Sequence, residues 1–326
     1  MALLLSESDL RTLLTMPLAL EAVETAFLRL ADGNAILHSR QRLHIPGQSY
    51  LHYMAAGDAT DGYMGLKIYS SSREGLRFIV PLFRSDSGDL VALIEADYLG
   101  QMRTGAASGI ATKYMARENA STVGMVGTGL QAHTQLEAVA AVRKLERIRV
   151  YGRDANRRAN FAREISERLH LPVEPVSSAE QAVRGADIVI TATTTTNPVV
   201  EGQWIEPGTH INAIGANFPQ KRELDDQAVL SVDVIAADSL QQSREEAGDL
   251  IHAFGSDEAR WATVHDISKI VSGKVKGRTT DQQITLFKSN GIAIEDIVVA
   301  SRVYEAALQR GIGRQVPLWT KADGRG

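Results

Sequence analysis

Hydrophobic positions along this chain fall into three successive textures. Over the first thirty residues they recur at helical spacing. Ser6 and Ser8 stand as cap candidates before Leu10, Leu13 and Leu14, and Met16-Pro17 opens a second helix. Its Leu20, Val23, Ala26, Phe27 and Leu30 form one stripe until Gly33 stops it. From Ser39 to Ile94 the runs become short and alternating: Gln41–Ile45, Tyr63–Tyr69, Phe78–Phe83 and Leu90–Glu95. Gly, Asp and Ser clusters separate them, which predicts an antiparallel sheet. A helix follows over about 104–116, with Gly105, Ala106, Ala107, Ser108 and Gly109 on its early turns, where another backbone comes close. After Arg117-Glu118-Asn119, apolar strands alternate with amphipathic helices. The strands are expected at Thr122–Val126, Arg147–Tyr151, Val173–Val176, Asp187–Ala192, His210–Ile214 and Val232–Ala236. That alternation predicts a parallel sheet covered on both faces. A last helix, about 294–308, carries Ile297, Val298, Tyr304 and Leu308 on one stripe and is placed to pack back onto the first domain.

Length and charge narrow the reading. The 326 residues suit about two domains. We place one at 1–117 with 294–326, and the other at 118–293. A net charge of −4 gives no basic footprint for nucleic acid. No apolar run is long enough to cross a bilayer, and MALLLSESDL lacks the basic start and small-residue cleavage site of a signal peptide. A cytoplasmic location is expected. The chain has no cysteine, which excludes disulfide scaffolds, thiolate zinc sites and cysteine nucleophiles. His44, His52 and His133 have no metal-ligand spacing, so no metal is expected. Glu245-Glu246 with Asp249 reads as a solvated helix face.

The most specific local feature is the GxGxxA run Gly127-Thr128-Gly129-Leu130-Gln131-Ala132, set directly after an apolar strand and before a helix. Gly127 suits the tight turn, Gly129 lets the backbone approach a pyrophosphate, and Ala132 keeps helix and strand close. The exposed N–H groups and dipole of that helix would hold the diphosphate. The fold class is therefore α/β: a Rossmann-type doubly wound parallel sheet plus a smaller α+β domain. An acid usually ends the second strand of such a fold and binds the NAD ribose. Here the strand ends in Gly152-Arg153-Asp154. Arg153 is placed to grip a 2′-phosphate, which favours NADP(H). Asp154, one residue further, keeps NAD(H) open. Thr193 and Thr194, after another strand end, are placed to line the nicotinamide ribose.

The motifs taken together point to one family. Lys67, Arg103-Thr104-Gly105-Ala106, Gly127-Thr-Gly129-Leu-Gln131, Gly215-Ala216-Asn217 with Glu223-Leu224-Asp225, and Phe287-Lys288-Ser289-Asn290-Gly291 stand in that family's order. The chain resembles the ornithine cyclodeaminase and mu-crystallin family over essentially all of its length. The resemblance implies a homodimer whose N-terminal half builds the substrate site and the dimer interface, beside a nicotinamide-binding domain. It implies a small α-amino or α-imino acid as substrate. Thr104, Lys288 and Asn290 join the cofactor residues by the same carry-over.

By resemblance, Arg103 binds the substrate α-carboxylate, Arg42 is a second clamp, and Lys67 stands beside the reacting carbon. A guanidinium orients a carboxylate by two parallel bonds. A lysine among other cations has its pKa lowered and exchanges a proton near neutrality. Arg40 reads as a surface or structural ion pair. The cyclodeaminases proper use a glutamate and an aspartate to handle the distal amine; His52 and Asn217 stand at those positions here. Neither supplies a fixed negative charge. The expectation is thus an NAD(P)H-dependent ketimine reductase or alanine-type dehydrogenase, with Lys67 and Asn217 in catalysis. The alternatives are an ornithine cyclodeaminase with recycled NAD, and a non-catalytic crystallin-type NADPH binder.

Overall fold

A computed structural model describes residues 1–72 and 75–318. The chain divides into two compact units, residues 1–103 with the chain from 292 onward, and residues 104–291. The first boundary falls within the helix Asp97–Met115, not after Arg117. That helix begins well before the expected Thr104 because a distant side chain caps it. The Glu7 carboxylate accepts the backbone N–H groups of Asp97 at 2.7 Å and Tyr98 at 3.1 Å. The expected extent to residue 326 runs past the last described residue.

In the first unit seven strands form one sheet. Their order is Arg314–Val316, Ala2–Leu5, Leu90–Glu95, Gly75–Arg84, Tyr63–Ser72, Tyr50–Asp58 and Ala35–His44. Three of these were not expected: Ala2–Leu5, Tyr50–Asp58 and Arg314–Val316. Leu3, Leu4 and Leu5 are a strand, not a helical lead-in, and pair in parallel with Ala92, Leu93 and Ile94. Tyr50–Asp58 is the central partner between Ala35–His44 and Tyr63–Ser72. The helix Ala293–Arg310 packs on Tyr50–Asp58, Tyr63–Ser72 and the helix Met16–Ala31. Its close approach depends on Gly65, where a Cβ would lie 2.5 Å from the Pro81 carbonyl and 2.8 Å from Ile297 Cδ1.

The second unit is an eight-stranded parallel sheet. Its order is Val264–Asp266, Val234–Ala237, Thr285–Lys288, His210–Ala213, Ile188–Thr191, Thr122–Val126, Arg147–Tyr151 and Val173–Pro175. Thr122–Val126 stands where the strand order reverses, the point at which such sheets bind ligands. Ile188 and Ile190 enter a core with Met125, Leu136 and Phe161, whereas Val189 enters another with Ile211 and Leu250. Helices therefore cover both faces, as the near-continuous apolar strands require. Thr285–Lys288, a short central strand, was not expected. Among the described residues no helix is long and apolar enough to cross a membrane.

Candidate functional site

The strand Tyr63–Ser72 alternates, and its inward positions are Tyr63, Gly65, Lys67 and Tyr69. A lysine on the buried face of a strand needs a partner. Lys67, only 2% exposed, places Nζ 2.7 Å from Asp296 Oδ1. The same oxygen accepts from Arg103 Nε at 3.2 Å, while Arg103 Nη1 donates to Glu295 Oε2 at 2.9 Å. Both carboxylates lie in the first turn of Ala293–Arg310, where the helix dipole favours negative charge, and both are fully buried. Burial first, then the Arg103 charge, lowers the Lys67 ammonium, Asp296 opposes both, and the outcome is about 8.

Next to this cluster runs a ladder of rings. Register aligns Arg42, His52, Tyr69 and Phe78 across four strands. His52 stacks on Tyr69 at 4.3 Å, Tyr69 on Phe78 at 4.8 Å, and Lys67 Nζ lies 5.3 Å from the Phe78 ring centre. Burial, then Arg42 and Arg40, hold His52 down at about 4, so it is neutral at pH 7. Its Nε2 is 3.0 Å from Ser71 Oγ. Arg40 is not a surface residue: it is 5% exposed and its charge reaches both His52 and Lys67. A register shift between His38 and Gln41 lies at this point of the strand. Glu295 and Asp296 were missed by motif reading. Two adjacent carboxylates amid Ile292, Ala293, Ile294, Ile297 and Val298 were the available signal.

In the second unit the glycine run is shaped for a dinucleotide. Gly127 has φ +115, and a Cβ there would collide with the Ala192 carbonyl. Gly129 caps the helix Leu130–Val142 without a side-chain bond, and a Cβ there would meet nothing within 4 Å. The backbone is thus open at a helix N-terminus, as a diphosphate requires. At Gly152 a Cβ would press on Thr128 Oγ1 at 2.5 Å. Arg153 is exposed, and Asp154 is occupied as the cap of Ala155–Leu169, accepting from Arg157 N at 2.8 Å. Gln131 precedes buried Ala132, and Gln135 on the same helix bonds the Thr104 carbonyl at 3.0 Å. Gly105 touches Thr134, the close backbone approach that its lack of a side chain allows.

The loops at the strand ends are tied together by buried acids. Glu223 accepts from Thr193 N at 2.6 Å, Thr191 Oγ1 at 2.8 Å and Gly215 N at 2.7 Å. It thereby fixes the segment of Thr193 and Thr194 against that of Asn217, which is half-buried. Burial, then Asp249, raise the Glu223 carboxyl above the ordinary range. Asp249 pairs with Lys288 at 3.0 Å, both fully buried, and accepts from Glu223 N and Leu224 N. Asn290 Nδ2 donates to Ser243 Oγ at 2.8 Å. The solvated face expected of Glu245, Glu246 and Asp249 is therefore wrong for two of the three. Glu246 is buried and accepts from Gln242 Nε2 at 2.9 Å, and Asp249 is buried between Lys288 and the Glu223–Leu224 backbone; Glu245 is exposed.

These features define a Rossmann-type domain together with an α+β unit that buries a lysine, arginine and carboxylate cluster. The ornithine cyclodeaminase/mu-crystallin family model matches residues 2–311, and the chain belongs to that family. A Delta(1)-pyrroline-2-carboxylate reductase of Bacillus cereus is 36% identical over 78% of this chain and 80% of its own. The Thermococcus litoralis enzyme of that name, solved with NADH and L-proline, is 37% identical. It superposes with a TM-score of 0.92 over 96% of this chain and 100% of its own. An archaeal alanine dehydrogenase dimer with bound NAD is 32% identical, with a TM-score of 0.91 over 98% and 99%.

Proposed function

We propose that the protein is an NAD(P)H-dependent oxidoreductase of the C–N bond in a small α-imino acid, with a cyclic ketimine such as pyrroline-2-carboxylate as substrate. The observation that carries this reading is the single Asp296 oxygen shared by Lys67 and Arg103. It sets a proton donor beside a carboxylate clamp. When bound, NAD(P)H supplies the hydride that enters the imine carbon. Arg103, with Arg42, holds the substrate carboxylate and fixes which face of the C=N bond is presented. The π pair moves to nitrogen, and the Lys67 ammonium gives that nitrogen its proton, leaving an amine on each. His52 and Asn217 offer no anion to a distal ammonium, and neutral rings line the wall beside Lys67. That favours imine reduction over ornithine cyclodeamination.

For the cofactor, Arg153 is exposed and Asp154 is engaged as a helix cap, which supports NADP(H) over NAD(H). One assay tests both parts. Nicotinamide absorbance is followed with pyrroline- or piperideine-2-carboxylate and with ornithine. Net oxidation with the imines is expected, with NADPH bound tighter than NADH by about 1–3 kcal/mol for one charged hydrogen-bond set. Arg153→Ala should erase that difference. Ammonia release from ornithine without net absorbance change would mean a cyclodeaminase, and cofactor binding with neither signal a binder.

We also infer a homodimer. The sheet face opposite Lys67 exposes Leu43, Leu51, Tyr53, Met64, Ile79 and Leu93, each at least 36% accessible. An apolar patch of this extent marks an interface, and a second copy is the occupant that the relatives' organisation supports. Light scattering should give twice the 35.4 kDa chain mass, falling to one chain in Tyr53→Lys with Ile79→Lys. A wild-type monomer rules the inference out.

A further inference from the structure

We propose that Asp296 is a positioning residue of this reaction, one carboxylate that yokes the proton donor Lys67 to the carboxylate clamp Arg103 and keeps that donor charged. The inference rests on the reductase reading above, and gives a role to two acids that no motif of the cofactor or substrate site includes. The geometry carries it. Oδ1 of Asp296 lies 2.7 Å from Lys67 Nζ and 3.2 Å from Arg103 Nε, so two cations meet at one atom. Glu295 takes Arg103 through a different nitrogen, Nη1, at 2.9 Å. The two acids thus divide the work: Asp296 acts on donor and clamp together, Glu295 on the clamp.

The charged groups and the ring facing Lys67 come from four elements, while the paired strand Tyr50–Asp58 sets Met54 opposite it. The four groups are Arg103 on Asp97–Met115, Arg40 on Ala35–His44, Asp296 on Ala293–Arg310 and the Phe78 ring on Gly75–Arg84. Burial and the two arginines disfavour the ammonium, and Asp296 is the negative charge set against them. Without it Lys67 would be an amine at neutral pH, with no proton to give. The shared oxygen also fixes the separation of donor and clamp. A carboxylate held by Arg103 therefore carries its own α-nitrogen to the same place at each turnover.

The test compares Asp296→Asn, Asp296→Glu and Glu295→Gln in the intact protein, with NADPH binding and thermal melting as checks of folding. In wild type, imine reduction should fall as pH rises through about 8, as the Lys67 ammonium is lost. Asp296→Asn removes the nearby opposite charge, so this limb should move to lower pH by about 1–3 units. For a shift of about 2 units, activity at pH 7 should drop by about tenfold and regain roughly half the wild-type level at pH 6. Asp296→Glu keeps the charge but moves the oxygen: the limb stays and kcat falls, an outcome that decides the matter even if the asparagine variant does not fold. Glu295→Gln should raise KM and leave the limb in place. The same shift should appear without substrate in the NMR titration of Lys67, one of nine lysines in the chain. An Asp296→Asn limb and Lys67 titration that stay at the wild-type position overturn the proposal. So does a Glu295→Gln limb that moves as far. If wild type reduces no imine while the Lys67 titration still moves, the reductase reading fails and the yoke survives as a property of the site.

Discussion

Replacing Lys67 by arginine is expected to lower kcat for imine reduction by about 10²–10⁴-fold, the size of a general-acid contribution. Arginine keeps the positive charge beside Asp296, but its guanidinium does not release a proton near neutrality. The loss should therefore nearly equal that of Lys67→Ala. NADPH affinity should change little, because the glycine run proposed to support the cofactor lies on other elements. Arg103→Lys makes the contrast. It weakens a bidentate grip on a carboxylate present before and during reaction, so it should raise KM strongly, with kcat falling as orientation slips. Steady-state kinetics on one cyclic ketimine decide it. A Lys67→Arg enzyme with most of the wild-type kcat would make Lys67 an electrostatic anchor only. The pH direction adds a check. Imine reduction uses the ammonium and should decline through about 8, while amine oxidation uses the neutral amine and should rise there.

Much of the fold is written in local pattern, and the failures share a cause. The parallel sheet, the glycine turn at Gly127 and the long C-terminal helix follow from periodicity and turn chemistry that a short window contains. The strand Ala2–Leu5 does not, because three leucines fit a helix as well as a strand and only pairing with Ala92–Ile94 decides between them. The start of Asp97–Met115 is hidden for the same reason: its cap is Glu7, from the other end of the unit. At the site, the motif residues Lys67 and Arg103 were legible, but Glu295 and Asp296 were not. They act through residues nearly two hundred positions away or more, and a sequence window shows only that two charges interrupt an apolar run. Arg40, expected as a surface or structural ion pair, is buried on a strand that begins at Ala35, ahead of the expected Gln41, and it sits at a register shift between His38 and Gln41. Asp249 was misread because the Lys288 that neutralises it lies on a strand the pattern did not disclose.

That last pair carries the largest expected effect on stability. Lys288 and Asp249 are both fully buried, 3.0 Å apart, and Lys288 also donates to the Ala213 carbonyl at 3.3 Å. Asp249 Oδ1 accepts from Glu223 N at 2.6 Å and Leu224 N at 2.9 Å. In Asp249→Asn the amide oxygen keeps both backbone bonds, while an NH2 group replaces the Oδ2 that faces Lys288. An ammonium is then left buried without its partner, which costs about 3–5 kcal/mol. Removing the other half as well, with Asp249→Asn and Lys288→Met together, takes the uncompensated charge away, and most of the loss should return. Denaturant titration followed by intrinsic fluorescence measures the series. The consequence reaches the cofactor, since Glu223 hangs on Asp249 by its backbone and holds Thr193 and Gly215 by its carboxylate. NADPH affinity should therefore fall in the single variant, whereas the double is read for stability alone because Lys288 is itself a candidate cofactor residue. If Asp249→Asn stays within about 1 kcal/mol of wild type, below the usual cost of a broken buried pair, the pair is a spectator. The loops that carry Thr193 and Asn217 must then be fixed without it.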